Sequence, residues 1–277
     1  MIHLTEQADL FNPESGSSTI ALTLNFKTLF MEVHQHTHTP RKKWTHYFWE
    51  FLMLFLAVFC GFLAEYKLEQ TIERHREKEY MQSMVRDLRA DITGINTDIK
   101  GKIIRIALAD SLLFLFEKKN FKTTSGSMYN IGGLLSLRSY FNPNDGTVQQ
   151  LKNAGGFRLI KRANVMDSIQ QYFILIRDLQ RLQELEESQL VEYHGLMGKL
   201  FSAFVFNKMF ASKETMQINQ LTTNPDVIAE DNQVINDLSM KIVITKGNRL
   251  SQMEALKQLQ QSADTLINLI KKEYHVN

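Results

Sequence analysis

Residues 51–64 read FLMLFLAVFCGFLA, fourteen positions without a charged side chain. Extending back through Tyr47, Phe48 and Trp49 admits one acid, Glu50, and extending forward to Tyr66 gives roughly 20 residues. As a helix that is about 30 Å, the thickness of a bilayer's hydrocarbon core. Trp44, Tyr47 and Trp49 cluster at one end and Tyr66 stands at the other, where amphipathic rings favour the membrane–water interface. A buried core helix competes with this reading because the uninterrupted run is short. The run is apolar on every face and follows Arg41-Lys42-Lys43, which favours a transmembrane helix over residues 44–66. A cleaved signal peptide fits less well, since no small-x-small site follows and the chain passes directly into Glu65, Lys67 and Glu69. Cys60, the sole cysteine, follows Phe59 rather than a small residue and reads as a small apolar group in lipid. It also rules out an internal disulfide and a cysteine-based zinc cluster.

Three details of the span bear on function. The basic cluster lies tight against the N-terminal end, whereas Lys67, Arg74, Arg76 and Lys78 are spread among five acids. That bias predicts a cytoplasmic N-terminus with the long C-terminal domain outside. Glu50 is an intramembrane acid of possible proton or ion function, or an interfacial acid reaching toward headgroups or Lys43. Ala57 and Gly61, four apart, form a small-xxx-small face suited to helix–helix contact in the membrane.

Upstream, residues 1–43 read as a flexible tail, with Pro13, Gly16 and nearby serines as loop signals. Met31 offers an alternative start, making residues 1–30 a start-site extension. His34, His36 and His38 alternate in this tail, a spacing that can bind zinc, copper or nickel, or stand as incidental solvated histidines.

Downstream, no proline occurs between Tyr66 and Pro143, as a long helix requires. Met81, Val85, Leu88, Ile92, Ile95, Ile99, Ile103 and Ile106 make an apolar seam with steps of three and four and one extra residue. They predict one helix from about Ala64 to Glu117, continuous with the span. Residues 118–146, with Gly126, Gly132, Gly133, Pro143 and Gly146, read as a connection. Thr147 and Gln150 fit a capping box for a short helix that Gly155-Gly156 would end. Asn164 is the expected cap of a helix with Val165, Ile169, Tyr172, Ile176 and Leu179 on one face, its pattern running toward Phe206. Residues 207–231 read as loop. A last helix carries Leu256, Leu259, Ala263, Leu266 and Ile270. Phe157–Ile160 and Lys241–Thr245 are the remaining strand candidates. The expected fold is therefore all-α: a single N-terminal transmembrane helix continuing into an extramembrane bundle of long, coiled-coil-like helices over residues 67–277.

The run WEFLMLFLAVFCGFLAEYKLEQTIERHREKEYMQSMVRDLRADI, followed by GTVQQLKNAGGFRLIKRANVMDSIQQYF, resembles single-span membrane proteins of Bacteroidota that carry a domain of unknown function. The matching features are Glu50 early in the span, Asp87-Leu88 with Asp91, and Leu151 through Gly155, within residues 41 to 180. The histidine-rich tail and the Gly155-Gly156 pair depart from the pattern. The resemblance implies a bacterial membrane location and supplies no activity, cofactor or catalytic residue.

Motifs for chemistry are lacking: there is no GxxxxGK[ST], GxSxG or HExxH. Asp87 and Asp91 share a helical face and read as a cation pair or as acids solvated or bonded to Arg86 or Arg89. Lys152, Arg158, Lys161 and Arg162 surround the Gly-Gly turn as a patch for an anionic ligand or partner, or as a solvated loop. Tyr172, Phe173, Phe201, Phe204 and Phe206 read as core or interface packing. A net charge of +2 does not argue for nucleic acid. No cofactor is expected. The expected partners are the lipid bilayer and a protein, either another chain or a second copy. The expected role is membrane-anchored helical interaction or assembly at a bacterial inner membrane. The alternatives are a sensory or ligand-binding bundle without its own output domain, and a metal-dependent enzyme. If residues 1–30 are an extension, tryptic peptides of the native protein begin at Met31. Any peptide from upstream refutes that expectation.

Overall fold

The computed structural model describes residues 43–153, 155–210 and 219–276. The tail, its three histidines, Arg41, Lys42 and the alternative start therefore lie outside the described residues. The chain divides into two compact units, Met1–Cys60 and Gly61–Asn277. Among the described residues every regular element is helical. The order is α1 (Trp44–Lys118), α2 (Phe121–Leu135), α3 (Gly146–Asn153), a 3₁₀ turn (Gly156–Leu159), α4 (Ala163–Leu200), α5 (Ala203–Met209) and α6 (Asn232–Tyr274).

Up to Cys60, α1 exposes its side chains: Phe51 is 65% and Met53 67% accessible. Phe51, Phe55 and Phe59 stack along one face at 6.2 and 5.9 Å, the i, i+4 geometry of a helix. This is the one helix among the described residues long and apolar enough to cross a membrane, and none of its most apolar 18-residue window is buried.

From Gly61 onward the bundle is built from three long helices and one broken leg. The buried positions of α1 include Glu77, Met81, Met84, Leu88, Asp91, Ile95, Asp98, Lys102, Ala109, Leu112 and Phe116. With half-buried Arg105 they step four and three without a break, a continuous heptad seam. The isoleucine seam expected from the sequence follows this line only to Ile95. Ile103 is 52% exposed, and the inserted residue disappears once charged side chains are admitted to the buried stripe. α4 buries Val165, Ile169, Tyr172, Ile176 and Leu179, and α6 buries Leu256, Leu259, Ala263, Leu266 and Ile270, as expected.

The acids of α1 pin the returning chain in descending order. Asp98 accepts from Ser139 Oγ at 3.0 Å. Asp91 accepts from the Asn144 backbone N–H at 2.7 Å, from Asn144 Nδ2 at 2.8 Å and from the Tyr172 hydroxyl at 2.7 Å. Asp87 accepts from the Thr147 N–H at 3.1 Å, and Glu77 from the Lys161 N–H at 2.8 Å and the Tyr274 hydroxyl at 2.6 Å. The leg from α2 to the 3₁₀ turn thus runs antiparallel to α1. α4 runs back up, and α6 descends, with Lys246 on Asp110 and Gln260 on Asn96. This is up-down-up-down topology.

Several local expectations are corrected by these contacts. Asp87 and Asp91 bond neither Arg86 nor Arg89 but the irregular leg. Asp87, rather than a Thr147–Gln150 capping box, takes the Thr147 amide. α4 begins at Ala163, ahead of Asn164, and ends at Leu200, so that Phe206 belongs to α5. Phe157–Ile160 forms the 3₁₀ turn and the extended residue after it, and Lys241–Thr245 lies inside α6. The expected connection over 118–146 contains α2. Its glycines serve close packing: a Cβ on Gly126 would lie 2.1 Å from the Thr223 carbonyl oxygen, and one on Gly132 or Gly133 would meet Phe201 or Phe206. Gly155 does end α3's segment in the left-handed region, at φ 61.

Asp91 is 1% exposed, and burial pushes its carboxyl up while the three donors pull it back. Asp91→Ala strands those donors and is expected to cost about 2–4 kcal/mol in denaturant unfolding. Asp91→Asn keeps one carbonyl acceptor and is expected to cost less than half as much. Equal losses would show that the hydrogen bonds do not matter.

Candidate functional site

Two apolar clusters fill the bundle. One gathers Met81–Ile95, Val165–Leu179 and Leu256–Ile270; the other gathers Ala109–Phe116, α2, Leu190–Phe201 and Ile235–Ile242. Between them lies a buried charged layer. Lys102 of α1, 1% exposed, sits 3.5 Å from Asp98 and 3.8 Å from Glu186 of α4. Glu186 accepts from Arg249 Nε at 2.7 Å and from Gln252 Nε2 at 2.8 Å, both on α6. Gln183 reaches the Phe141 carbonyl and Asn248 the Leu182 carbonyl, so that the layer ties the three long helices and the broken leg together. Burial pulls the Lys102 ammonium down and pushes the Asp98 carboxyl up, with each opposing the other's shift. Asp98 and Glu186 face Lys102 and Arg249, while Asp98 Oδ2, Arg105 Nε, Asn248 Oδ1 and Gln252 Oε1 find no hydrogen-bond partner among the described residues. Such a layer costs desolvation, and its return is register: the pairs of Glu186 with Lys102 and Arg249 cross between helices and form in one vertical alignment.

At the end of the bundle where α1 gives way to α2 there is an open apolar cleft of about 590 Å³. Its walls include Met197, Gly198, Phe201, Phe204, Phe206 and Phe210, with Ile228 at the rim. Behind the floor Tyr129 packs on Phe201 at 4.7 Å and on Phe206 at 5.3 Å. The Tyr129 hydroxyl accepts from the Ser202 N–H at 2.7 Å and donates to the Asp226 carbonyl at 3.1 Å. The polar groups at the wall are Ser136, His194 and Ser202. Phe201 is core, as expected, but Phe204 is 83% exposed.

The expected sites fare differently. Of the basic patch, Lys161 pairs with Glu73 at 3.4 Å, and Arg162 pairs with Glu273 and lies over the Tyr274 ring. These two bases lock the bundle's lower end, leaving Lys152 and Arg158 as its exposed, unpaired members among the described residues. Two of the four residues of the expected patch are thus engaged in ion pairs. Glu50, Ala57 and Gly61 are exposed on α1, and nothing lies within 4 Å of where a Gly61 Cβ would stand. Among the described residues no group of three His, Cys, Asp or Glu could hold a metal ion. The charged layer escaped sequence reading because Asp98, Lys102 and Arg105 interrupt hydrophobic periodicity. The signal was present as charged residues at unbroken heptad spacing. Nine of the eleven residues lining the cleft fall between His194 and Phe210, so that its local signal was the run Phe201, Phe204 and Phe206, read from the sequence as packing.

Comparison with known proteins returned no matching family model, no similar curated protein and no similar solved structure.

Lys102→Met leaves Asp98 buried without its cation and is expected to cost about 3–5 kcal/mol. Asp98→Leu combined with Lys102→Met removes both charges and is expected to recover most of that loss by thermal and denaturant unfolding. A double variant as unstable as the single one would overturn the pairing.

Proposed function

We propose that this is a single-pass protein of a bacterial inner membrane, with its N-terminus cytoplasmic and its helical bundle outside, acting by anchorage and recognition. The observation that carries the reading is the bare apolar stretch of α1. A core helix of comparable hydropathy would be covered by its neighbours, but here no residue of the 18-residue window is buried. Leaving that many large apolar groups in water would cost about 1.5–3 kcal/mol each, and lipid removes the cost. The interfacial aromatics Trp44, Tyr47, Trp49 and Tyr66 support the same placement. Mechanistically, α1 is an unbroken helix from Trp44 to Lys118, so that the anchor and the first bundle helix are one element. Recognition of a protein partner, or of a second copy, is the primary role. Ligand binding by the bundle is a second reading, favoured by the apolar cleft.

The protein is expected to stay in the membrane pellet through alkaline carbonate and to leave it only with detergent. In a Cys60→Ala background, a cysteine replacing exposed Asp264 on α6 is expected to react with a membrane-impermeant maleimide in cells with a permeabilised outer membrane. Release by carbonate would overturn the anchor, and labelling only after lysis would reverse the orientation.

A further inference from the structure

We propose that the cleft binds a free fatty acid: one aliphatic chain with a carboxylate head. The inference rests on the ligand-binding reading and names the ligand's class. At about 590 Å³ the cleft falls within the size range of small-molecule sites, which are mostly apolar with a few placed polar groups. Its aromatic floor is fixed by the Tyr129 hydroxyl bridging Ser202 and Asp226, so that the site is formed before a ligand arrives. Phe204, Phe210 and Ile228 stand open at the mouth, 83%, 51% and 61% exposed. Covering such side chains is favourable in proportion to the apolar area removed from water.

The wall is opened by a missing side chain. Gly198 of α4 lines the cleft, and nothing lies within 4 Å of where its Cβ would stand. A glycine inside a 38-residue helix costs stability relative to almost any other residue, and here the space it leaves belongs to the cleft.

The head group follows from charge. Among the described residues no carboxylate lines the cleft; their ionisable side chain there is the His194 imidazole, accompanied by the hydroxyls of Ser136 and Ser202. Ser202 sits at the N-cap of α5 without its side chain capping the helix. The Ser136 proton is already given to the Gly133 carbonyl at 2.6 Å, which leaves His194 and Ser202 as the donors to an accepting head group. A cationic head would meet no counter-charge among the described residues, and a headless alkane would leave the His194 and Ser202 donors without an acceptor.

The full chain in lipid nanodiscs is irradiated with a diazirine-bearing dodecanoate, and the adducts are mapped by peptide mass spectrometry. Dodecanoate, dodecanol and dodecyltrimethylammonium serve as competitors with a common tail. Adducts are expected on residues 196–210, displaced at least tenfold better by dodecanoate than by the cationic amphiphile. Gly198→Leu, which fills open space and favours the helix, is expected to lower cleft adducts at least tenfold with melting unchanged or raised. His194→Ala is expected to narrow the preference for dodecanoate over dodecanol. Adducts on the cleft displaced equally by all three competitors would overturn the carboxylate while leaving ligand binding standing. Adducts confined to residues 44–66, or cleft adducts untouched by Gly198→Leu, would overturn the site and with it the ligand-binding reading, without touching the membrane anchor.

Discussion

A carboxylate enclosed in a helical seam has to be met by donors, and most of this bundle's architecture follows from where those donors come from. Glu77, Asp91 and Asp98 occupy seam positions of α1 that an ordinary coiled coil would fill with leucine. Their partners on the segment between α2 and α4 are backbone amides, the Ser139 hydroxyl and the Asn144 amide side chain, joined by the hydroxyls of Tyr172 on α4 and Tyr274 on α6. That segment is largely irregular, so that its amides lack helical partners of their own. The acids satisfy the loop and the loop satisfies the acids. Neither arrangement is stable without the other, which is why a broken leg can stand as the fourth member of a bundle.

The charged layer extends the same logic across the core. Apolar side chains in a long bundle pack nearly as well after a shift of one heptad, since hydrophobic contact is non-directional. Lys102, Asp98, Glu186 and Arg249 do not tolerate such a shift, because a displaced charge would face the apolar clusters above or below. The layer thus separates two cores and aligns them. The unpartnered Arg105 Nε, Asn248 Oδ1 and Gln252 Oε1 show that alignment, rather than maximal stability, is what the layer secures.

The two ends of the bundle are finished differently. Near the end of α6, Glu77, Tyr274, Arg162 and Glu273 close the structure with hydrogen bonds and an ion pair. At the other end glycines at 126, 132 and 133 draw α2 against its neighbours, while Gly198 leaves a gap. Closing one end with polar contacts and leaving the other apolar and concave gives the domain one surface on which an apolar ligand can gain from burial.

The all-helical class, the three long helices, their apolar faces in α4 and α6 and the bare apolar stretch were determined by the sequence itself. Proline spacing and hydrophobic period are local properties and act within one element. The tertiary structure alone decided the rest. α2 could not be read because Gly126, Gly132 and Gly133 lower helix propensity locally, and only the tertiary structure reveals that a side chain at Gly126 would collide with the Thr223 carbonyl. The true seam of α1 could not be read from hydrophobicity because its charged members are met by distant partners, from Ser139 on Lys102, 37 residues away, to Tyr274 on Glu77, 197 residues away. The basic stretch at 152–162 looked open because Glu73 and Glu273, which neutralise half of it, are distant in the chain. Burial and charge pairing are sums over neighbours in space, and those neighbours exist only once the legs have been laid side by side.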